Sequence, residues 1–457
     1  MLYKKNKFKY KQFIFSIIVY FIALQTILPA SEKKEFNKNV FCENTSPELF
    51  INENKLNKII IKTNKTKKWS ENILDLFYEF NSEKFKTHNS QELTFQINDK
   101  FKKKFKSKIK FLYKNPDYEC ESKANVNIRG DFWWHLDWKG GPFSSLKVDL
   151  KDGHLDNTVS FNLLLPKSRI SANNGNINFE LFVTSLLNKV GFLAPKTKII
   201  KVEINGYEYD YLFQESLSKE FLESRGLVEG PLLEGDQQYG AEQFSANKWR
   251  GDLVLGKIIN TSYSIKNKIN TILSFQALSV FNNILIDNYG EYNGEKTRCV
   301  QDNVTLNKKK YLINDEELKI NQTYESLIFA TETDHSLSCD DRRFYLDPIK
   351  NILHPIYNDG KSELNILNEK IYHKLSYGNA NKDEVLVNAI EGSSYALKLL
   401  NGIDDKTFYE ELRETGFKWK YEDYKKIKEK VVINLKALNQ IKIKKIKKEE
   451  SNSNYFE

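Results

Sequence analysis

NIRGDFWWHLDW (residues 127–138), SSLKVDLKDG (144–153), FNLLLPKSR (161–169), NINFELFVTSLLNKVGF (176–192), KIIKVEINGYEYDYLFQE (198–215) and EGPLLEGD (229–236) form the stretch whose reading decides the fold. Residues 145–150 alternate apolar with polar side chains, as do 200–204, and each run is closed by Gly, Asp or Asn, which predicts strands. Between them Phe179, Leu181, Phe182, Leu186 and Leu187 share one helical stripe, and Gly191 follows the last turn as a stop signal. The predicted order is strands, one helix, strands.

A basic residue on a strand followed by an acid on a helix is the order in which a protein-kinase N-lobe holds its Lys against its Glu, and Lys147 and Glu180 stand in those places. Such charges are also commonly just solvated, and on pattern alone both readings stay open. IRGD (128–131), the Ser-x-Lys strand (145–147), FNLL (161–164), the helix ending in GFLAP (191–195), the strand ending in ING (204–206) and YLFQE (211–215) before SKEFLE (218–223) resemble the CotH-like kinase family. These are bacterial and eukaryotic proteins with an atypical kinase fold. The resemblance runs over 127–236 and resumes at 334–359. It implies an α+β, bilobal protein-kinase-like fold, with a β-rich N-lobe carrying one helix over 122–236 and a mostly helical C-lobe over 237–448.

Ahead of that stretch, residues 1–10 are basic, 13–30 are an apolar run interrupted by Ser16, Gln25 and Thr26, and LPAS (28–31) offers small residues for cleavage. This is the layout of a secretory signal, and the run is also nearly long enough for an uncleaved anchor. Either way the chain is expected to be exported, to the periplasm, the cell surface or a membrane through residues 13–30. No second span is expected. Residues 31–121, with alternating runs at 56–62 and 93–97 and a helix-like run at 69–80, predict a small mixed or β-rich entry domain. The net charge of +9 comes largely from Lys clusters, without the Arg and stacked-aromatic motifs of a nucleic-acid reader, so no nucleic-acid partner is expected.

Four cysteines in an exported chain point to disulfides, and the economical pairing joins Cys42 to Cys120 and Cys299 to Cys339. A zinc site lacks CxxC spacing and a nearby His pair. Asp131, His135 and Asp137 admit a metal reading among three Trp residues, but a turn with aromatic packing is the reading favoured. Arg169 precedes an Asn-rich loop (171–178) whose amides at a helix start suit a phosphate.

The second informative stretch is ATETDHSLSCDDRRFYLDPIKNILHPIYNDGKS (330–362). It follows an apolar helix-like run at 272–286, expected to be the central buried helix of the C-lobe, and a polar insertion at 287–325. Phosphoryl transfer needs an acid near the acceptor hydroxyl, a polar metal ligand a few residues on, and an Asp after a short hairpin. Asp334 and His335, then Asp340 and Asp341, then a hairpin from Arg343 through Leu353, then Asp359 fit that scheme. The competing reading makes every Asp a turn former.

By the resemblance, Asp359 matches the family's last metal ligand and Asp341 stands where the family has Asn. The base position falls on or beside His335, with Asp334 adjacent. Phe143-Ser144-Ser145 replaces the family's Lys-Lys-Ser, leaving Lys147 as the nearest cation, and Glu215 matches a Glu that either contacts nucleotide or caps the lobe connection. The expectation is ATP with Mg²⁺ or Mn²⁺ as cofactors, Asp334, His335 and Lys147 as catalytic residues, Lys147, Glu180, Arg169 and Glu215 as nucleotide contacts, and Asp341 and Asp359 as metal ligands. The acceptor would be a protein or surface glycan of the cell envelope. The alternatives are an inactive pseudokinase that binds an envelope partner, and a purely structural envelope protein. Lys-rich residues 418–448 read as a terminal helix, packed on the C-lobe or lying on an anionic membrane surface, and 449–457 as a disordered tail.

Overall fold

The computed structural model describes residues 40–41, 56–86, 96–114, 117–138, 141–155, 157–169, 176–236, 254–287, 290–292, 295–297, 315–362, 364 and 384–441. The expected signal or anchor (1–30), the Asn-rich loop at 171–175, Cys42, Cys299 and the tail lie outside these residues.

Period-two alternation is realised in β1 (Leu56–Thr63), β2 (Phe105–Lys114), β3 (Asp117–Ile128), β4 (Leu146–Leu150), β5 (Ser160–Leu164), β6 (Thr197–Ile204) and β7 (Tyr207–Glu215). Two helices belong to this half: α1 (Thr66–Lys86) and α2 (Ile177–Lys189). The strands lie in the order β3-β2-β1-β6-β7-β5-β4, and β3 pairs with β4, so the sheet closes on itself. Neighbours are antiparallel except β1 and β6, which run parallel with Ile59 opposite Val202. Closure uses the second half of β3, Ala124 opposite Leu150 through Ile128 opposite Leu146. Beside its first half the two-residue strand Val40–Phe41 runs parallel, Val40 opposite Cys120. A barrel of about this size has an interior just wide enough to be filled by side chains. Ile59, Ile61, Ile109, Phe111, Val126, Val148, Phe161 and Leu163 fill it, all fully buried. Trp69, Ile73, Leu76 and Phe77, one face of α1, join the same apolar cluster.

This architecture overturns the expected bilobal protein-kinase-like fold. In place of an open N-lobe sheet over 122–236 there is a closed seven-stranded barrel, and three of its strands come from 56–128. The separate β-rich entry domain does not form as such: β1 and β2 fall within 31–121 and β3 crosses its end. Alternation shows that a run is a strand, but not which strand it pairs with, and closure rests on two such pairings, β3 with β4 and β1 with β6.

Helices and smaller sheets form the rest of the described residues. α2 is capped by Asn176, whose side chain accepts from the Asn178 N–H. Its apolar face packs in one cluster with α4 (Asp315–Ala330), α5 (Glu384–Asn401), α6 (Asp405–Glu414) and α7 (Tyr421–Gln440). Tyr424, Val431, Leu435 and Leu438 of α7 are buried there, as the packed-helix expectation for the Lys-rich terminal segment requires. The expected insertion at 287–325 is too long, since its last part opens α4, most of which is buried. A four-stranded sheet runs in the order β9-β8-β10-β11, from β8 (Leu232–Asp236), β9 (Leu255–Ile258), β10 (Arg343–Asp347) and β11 (Ile352–Ile356). The expected hairpin at Arg343 through Leu353 is thus present, with Asp347 accepting from the Ile349 and Lys350 N–H groups as a turn former.

The helix expected to be buried at the centre, α3 (Lys268–Asp287), instead packs one face on this sheet through Ala277, Phe281, Ile284 and Leu285. Ile269, Ile272, Phe275 and Ile286 are exposed. By length and composition alone α3 is also apolar enough to cross a membrane, contrary to the expectation that no later stretch would be. Cys120 and Cys339 are buried and neither is a free thiol. The cysteines expected to pair with them lie outside the described residues.

Candidate functional site

His335 begins beside Asp334 in a single 3-10 turn, Asp334–Leu337, after α4. Asp341 precedes β10, and Asp359 follows β11 by three residues, so one hairpin sets both carboxylates. One ligand atom from each of His335, Asp341 and Asp359 lies within 4.8 Å of the others. His335 Nε2 is 3.1 Å from Asp341 Oδ2. Asn358 Nδ2 donates to Asp341 Oδ1 at 3.1 Å, tying the two ends of the hairpin. Asp359 and Lys361 both sit at positive φ, 45° and 50°, a left-handed conformation rare for residues with side chains. Gly360 between them is required by packing, because a Cβ would lie 2.5 Å from Thr333 Cβ and from the Tyr357 hydroxyl. Its bareness therefore serves the protein's own packing.

Arg169, buried after β5, forms an ion pair with Asp359. Burial opposes charge on Asp359, yet Arg169, Lys361 and His335 hold its carboxyl down at about 2. Asp341 is moved the other way: burial, then Asp359 and Asp340, push it well above the usual carboxylate range. Burial, then Lys361, depresses His335. The Lys361 ammonium donates to His335 Nε2 at 2.9 Å and lies 3.9 Å from Asp359 Oδ2.

A divalent cation fits this donor set. Among the described residues Asp359 Oδ1 and Asn358 Oδ1 are buried without a hydrogen-bond partner, a cost the fold carries unless something else binds them. One imidazole with two carboxylates suits a borderline ion such as Mn²⁺ better than Mg²⁺, which favours oxygen alone.

Of the expected site residues, the hairpin brings together His335, Asp341, Asp359 and Arg169, with Asp334 adjacent. Glu180 is close to them through Tyr357, whose hydroxyl donates to Glu180 Oε2 at 2.7 Å. Burial raises Glu180 to about 7, against the pull of Tyr357 and Arg169. The cation near Glu180 is thus Arg169 and not Lys147. Lys147 lies on the outer face of β4, whose inward residues are Leu146, Val148 and Leu150, and its ammonium is 3.9 Å from Asp149. The expected Lys147–Glu180 pair does not form, because in a closed barrel the inward positions of this short strand are occupied by the apolar core. Glu215 is committed elsewhere, accepting from both ends of the Arg225 guanidinium at 3.2 and 2.9 Å. It thereby ties the end of β7 to Arg225. Asp131, His135 and Asp137 do not converge: Lys102 binds Asp131, Tyr209 donates to Asp137, and the His135 Nδ1 lies 3.0 Å from Ser145 Oγ.

Sequence reasoning missed Lys361 and the place of His335 among the groups that could hold a metal. Arg129 follows β3 in the IRGD stretch, and among the described residues its guanidinium has no hydrogen bond or ion pair. Burial, then Arg343 and Arg169, push it down to about 10. No family model and no curated protein matches this chain.

Proposed function

We propose that this is an exported, divalent-cation-dependent phosphotransferase of CotH-like type, moving the γ-phosphoryl group of ATP to a hydroxyl on a protein or surface glycan. The observation that carries the reading is the convergence of His335, Asp341 and Asp359 beside Arg169, at the hairpin where the resemblance puts the metal ligands. When bound, the cation would supply the positive charge that phosphoryl transfer demands. His335, Asp341 and Asp359 would hold it, and Arg169 fixes the Asp359 carboxylate. Asp334 is the group to accept the proton of the acceptor hydroxyl, since His335 is engaged as a ligand. Lys147 has no part in this scheme.

The runner-up, an inactive member that binds an envelope partner, is favoured by Lys361, whose ammonium already lies between His335 and Asp359 where a cation would sit.

Asp341→Asn tests the reading. It keeps the Asn358 bond while removing a charge that the folded protein disfavours, so thermal stability is expected to hold or rise. Mn²⁺-dependent ATP binding, read by calorimetry, is expected to weaken by about 1–3 kcal/mol. A variant that binds Mn²⁺ and ATP like the parent overturns the metal site. ATP turnover measured alongside separates the two readings: binding in the parent without turnover selects the inactive member.

A further inference from the structure

Helix α3 meets the four-stranded sheet with one face only, and that face is locked. Phe281 packs edge-on against Phe344 of β10, and Asn282 Oδ1 accepts from the Gly256 N–H of β9 at 2.7 Å. Gly256 has to be bare there, since a Cβ would lie 2.5 Å from the Phe281 ring. The opposite side is thereby turned outward. Along it Ile269, Ile272, Gln276, Ser279, Asn283 and Ile286 follow one another at spacings of three and four, and all six are exposed. Ile269 is 69% exposed, and Phe275 beside the seam is 59% exposed. Alternating three and four is the spacing with which one helix of a coiled coil meets another.

No charged residue occurs between Ile269 and Ile286, in a chain of which 29% of residues are charged. A helix face that stays in water normally carries charge, whereas the core of a protein interface is depleted of it. A lipid surface fits this face less well. Gln276, Ser279 and Asn283 fall in the middle of the seam, where hydrocarbon penalises polar groups and a second helix can pair them.

We infer that α3 is the contact through which two copies of this chain associate, seam against seam and antiparallel. In that order Ile269 faces Ile286, Ile272 faces Asn283 and Gln276 faces Ser279, and the polar middle fixes the register. Lys268, exposed at the start of each helix, then lies beside the electronegative C-terminal end of the other, where a parallel order would set two Lys268 side by side. One helix face of this length covers less than the ~800 Å² per copy of a standard interface, so the association is weak and reversible. The inference does not depend on the proposed phosphotransferase activity.

Analytical ultracentrifugation of the full chain over a concentration series tests it. The parent is expected to dimerise with a micromolar dissociation constant. Ile272→Asp puts two charges into the seam of each dimer and is expected to weaken association by roughly a hundredfold, with the melting temperature of the dilute protein unchanged. Ile349→Asp, at an exposed apolar residue in the β10–β11 turn, is the control and is expected to dimerise like the parent. Lys268→Glu is expected to weaken association several-fold, and unchanged association there overturns the antiparallel order. A parent that is monomeric at every concentration overturns the inference. If that monomer sediments with phosphatidylglycerol vesicles and Ile272→Asp abolishes the sedimentation, the face binds lipid instead. Association that survives Ile272→Asp overturns the inference because the contact then lies elsewhere, and a lowered melting temperature of the dilute variant overturns it because the chain's own residues then cover the seam.

Discussion

Two buried arginine–carboxylate pairs in this chain look alike and differ in completeness. At Arg225 and Glu215 every contact is made: the guanidinium also donates to the Ala194 and Phe221 carbonyls at 2.8 Å each and lies 3.9 Å from the Phe221 ring centroid. Glu215 Oε2 accepts in addition from the Lys196 N–H at 3.1 Å. At Arg169 and Asp359 the ion pair forms, but Arg169 Nε and Asp359 Oδ1 are left buried without partners, on a backbone with φ 45° at Asp359. A closed pair holds a loop in place. An open one, beside two more groups able to ligate a metal, keeps bonding capacity for something that is not the protein.

The sharpest way to break this contrast is to remove the closed pair. Glu215→Ala strands a buried guanidinium and the Lys196 N–H, and is expected to cost about 3–5 kcal/mol in chemical denaturation, with Mn²⁺ affinity of the folded fraction unchanged. A loss under about 1 kcal/mol would show that the pair is not structural in the sense argued.

A smaller effect of opposite sign is expected at Glu180, which is fully buried with its carboxyl raised to about 7 by burial. Its unfolded value is about 4.3. A raised folded value means that its contribution to stability is fully present below about pH 4 and is lost as pH rises through about 7. Glu180→Gln keeps an acceptor for the Tyr357 hydroxyl and removes that titration. It is expected to match the parent near pH 4 and exceed it by about 1–3 kcal/mol at pH 8. A variant less stable than the parent at pH 8 would show that the ionised Glu180 is needed by Arg169.

How much of this was legible in the sequence follows from which interactions are local. The β10–β11 hairpin was readable because Asp347, Pro348 and Asn351 carry its turn chemistry between apolar runs, and the same hairpin delivers Asp341 and Asp359 to one place. α2 was readable from its stripe and its Gly191 stop. Barrel closure was not, because the β1–β6 pairing joins residues far apart in sequence, such as Lys58 with Lys201, and nothing in either run marks the other. The face of Lys147 followed from closure and was lost with it.

The smallest expected effect falls on Lys147, the residue that the strand-then-helix order singled out. Its ammonium is about half exposed and 3.9 Å from Asp149, which is itself bonded by Ser160 Oγ at 2.8 Å. An ion pair that long and that open to water is worth at most about 0.5 kcal/mol. Its neighbours across the sheet, Asn127 on β3 and Asn162 on β5, are uncharged, so its removal uncovers no buried opposite charge. Lys147→Ala is therefore expected to shift stability by about 0.5 kcal/mol or less and to leave Mn²⁺ and ATP binding as in the parent. If ATP affinity instead fell tenfold with stability intact, the outer face of β4 would have to border the nucleotide, and the assignment of the cationic role to Arg169 would fail.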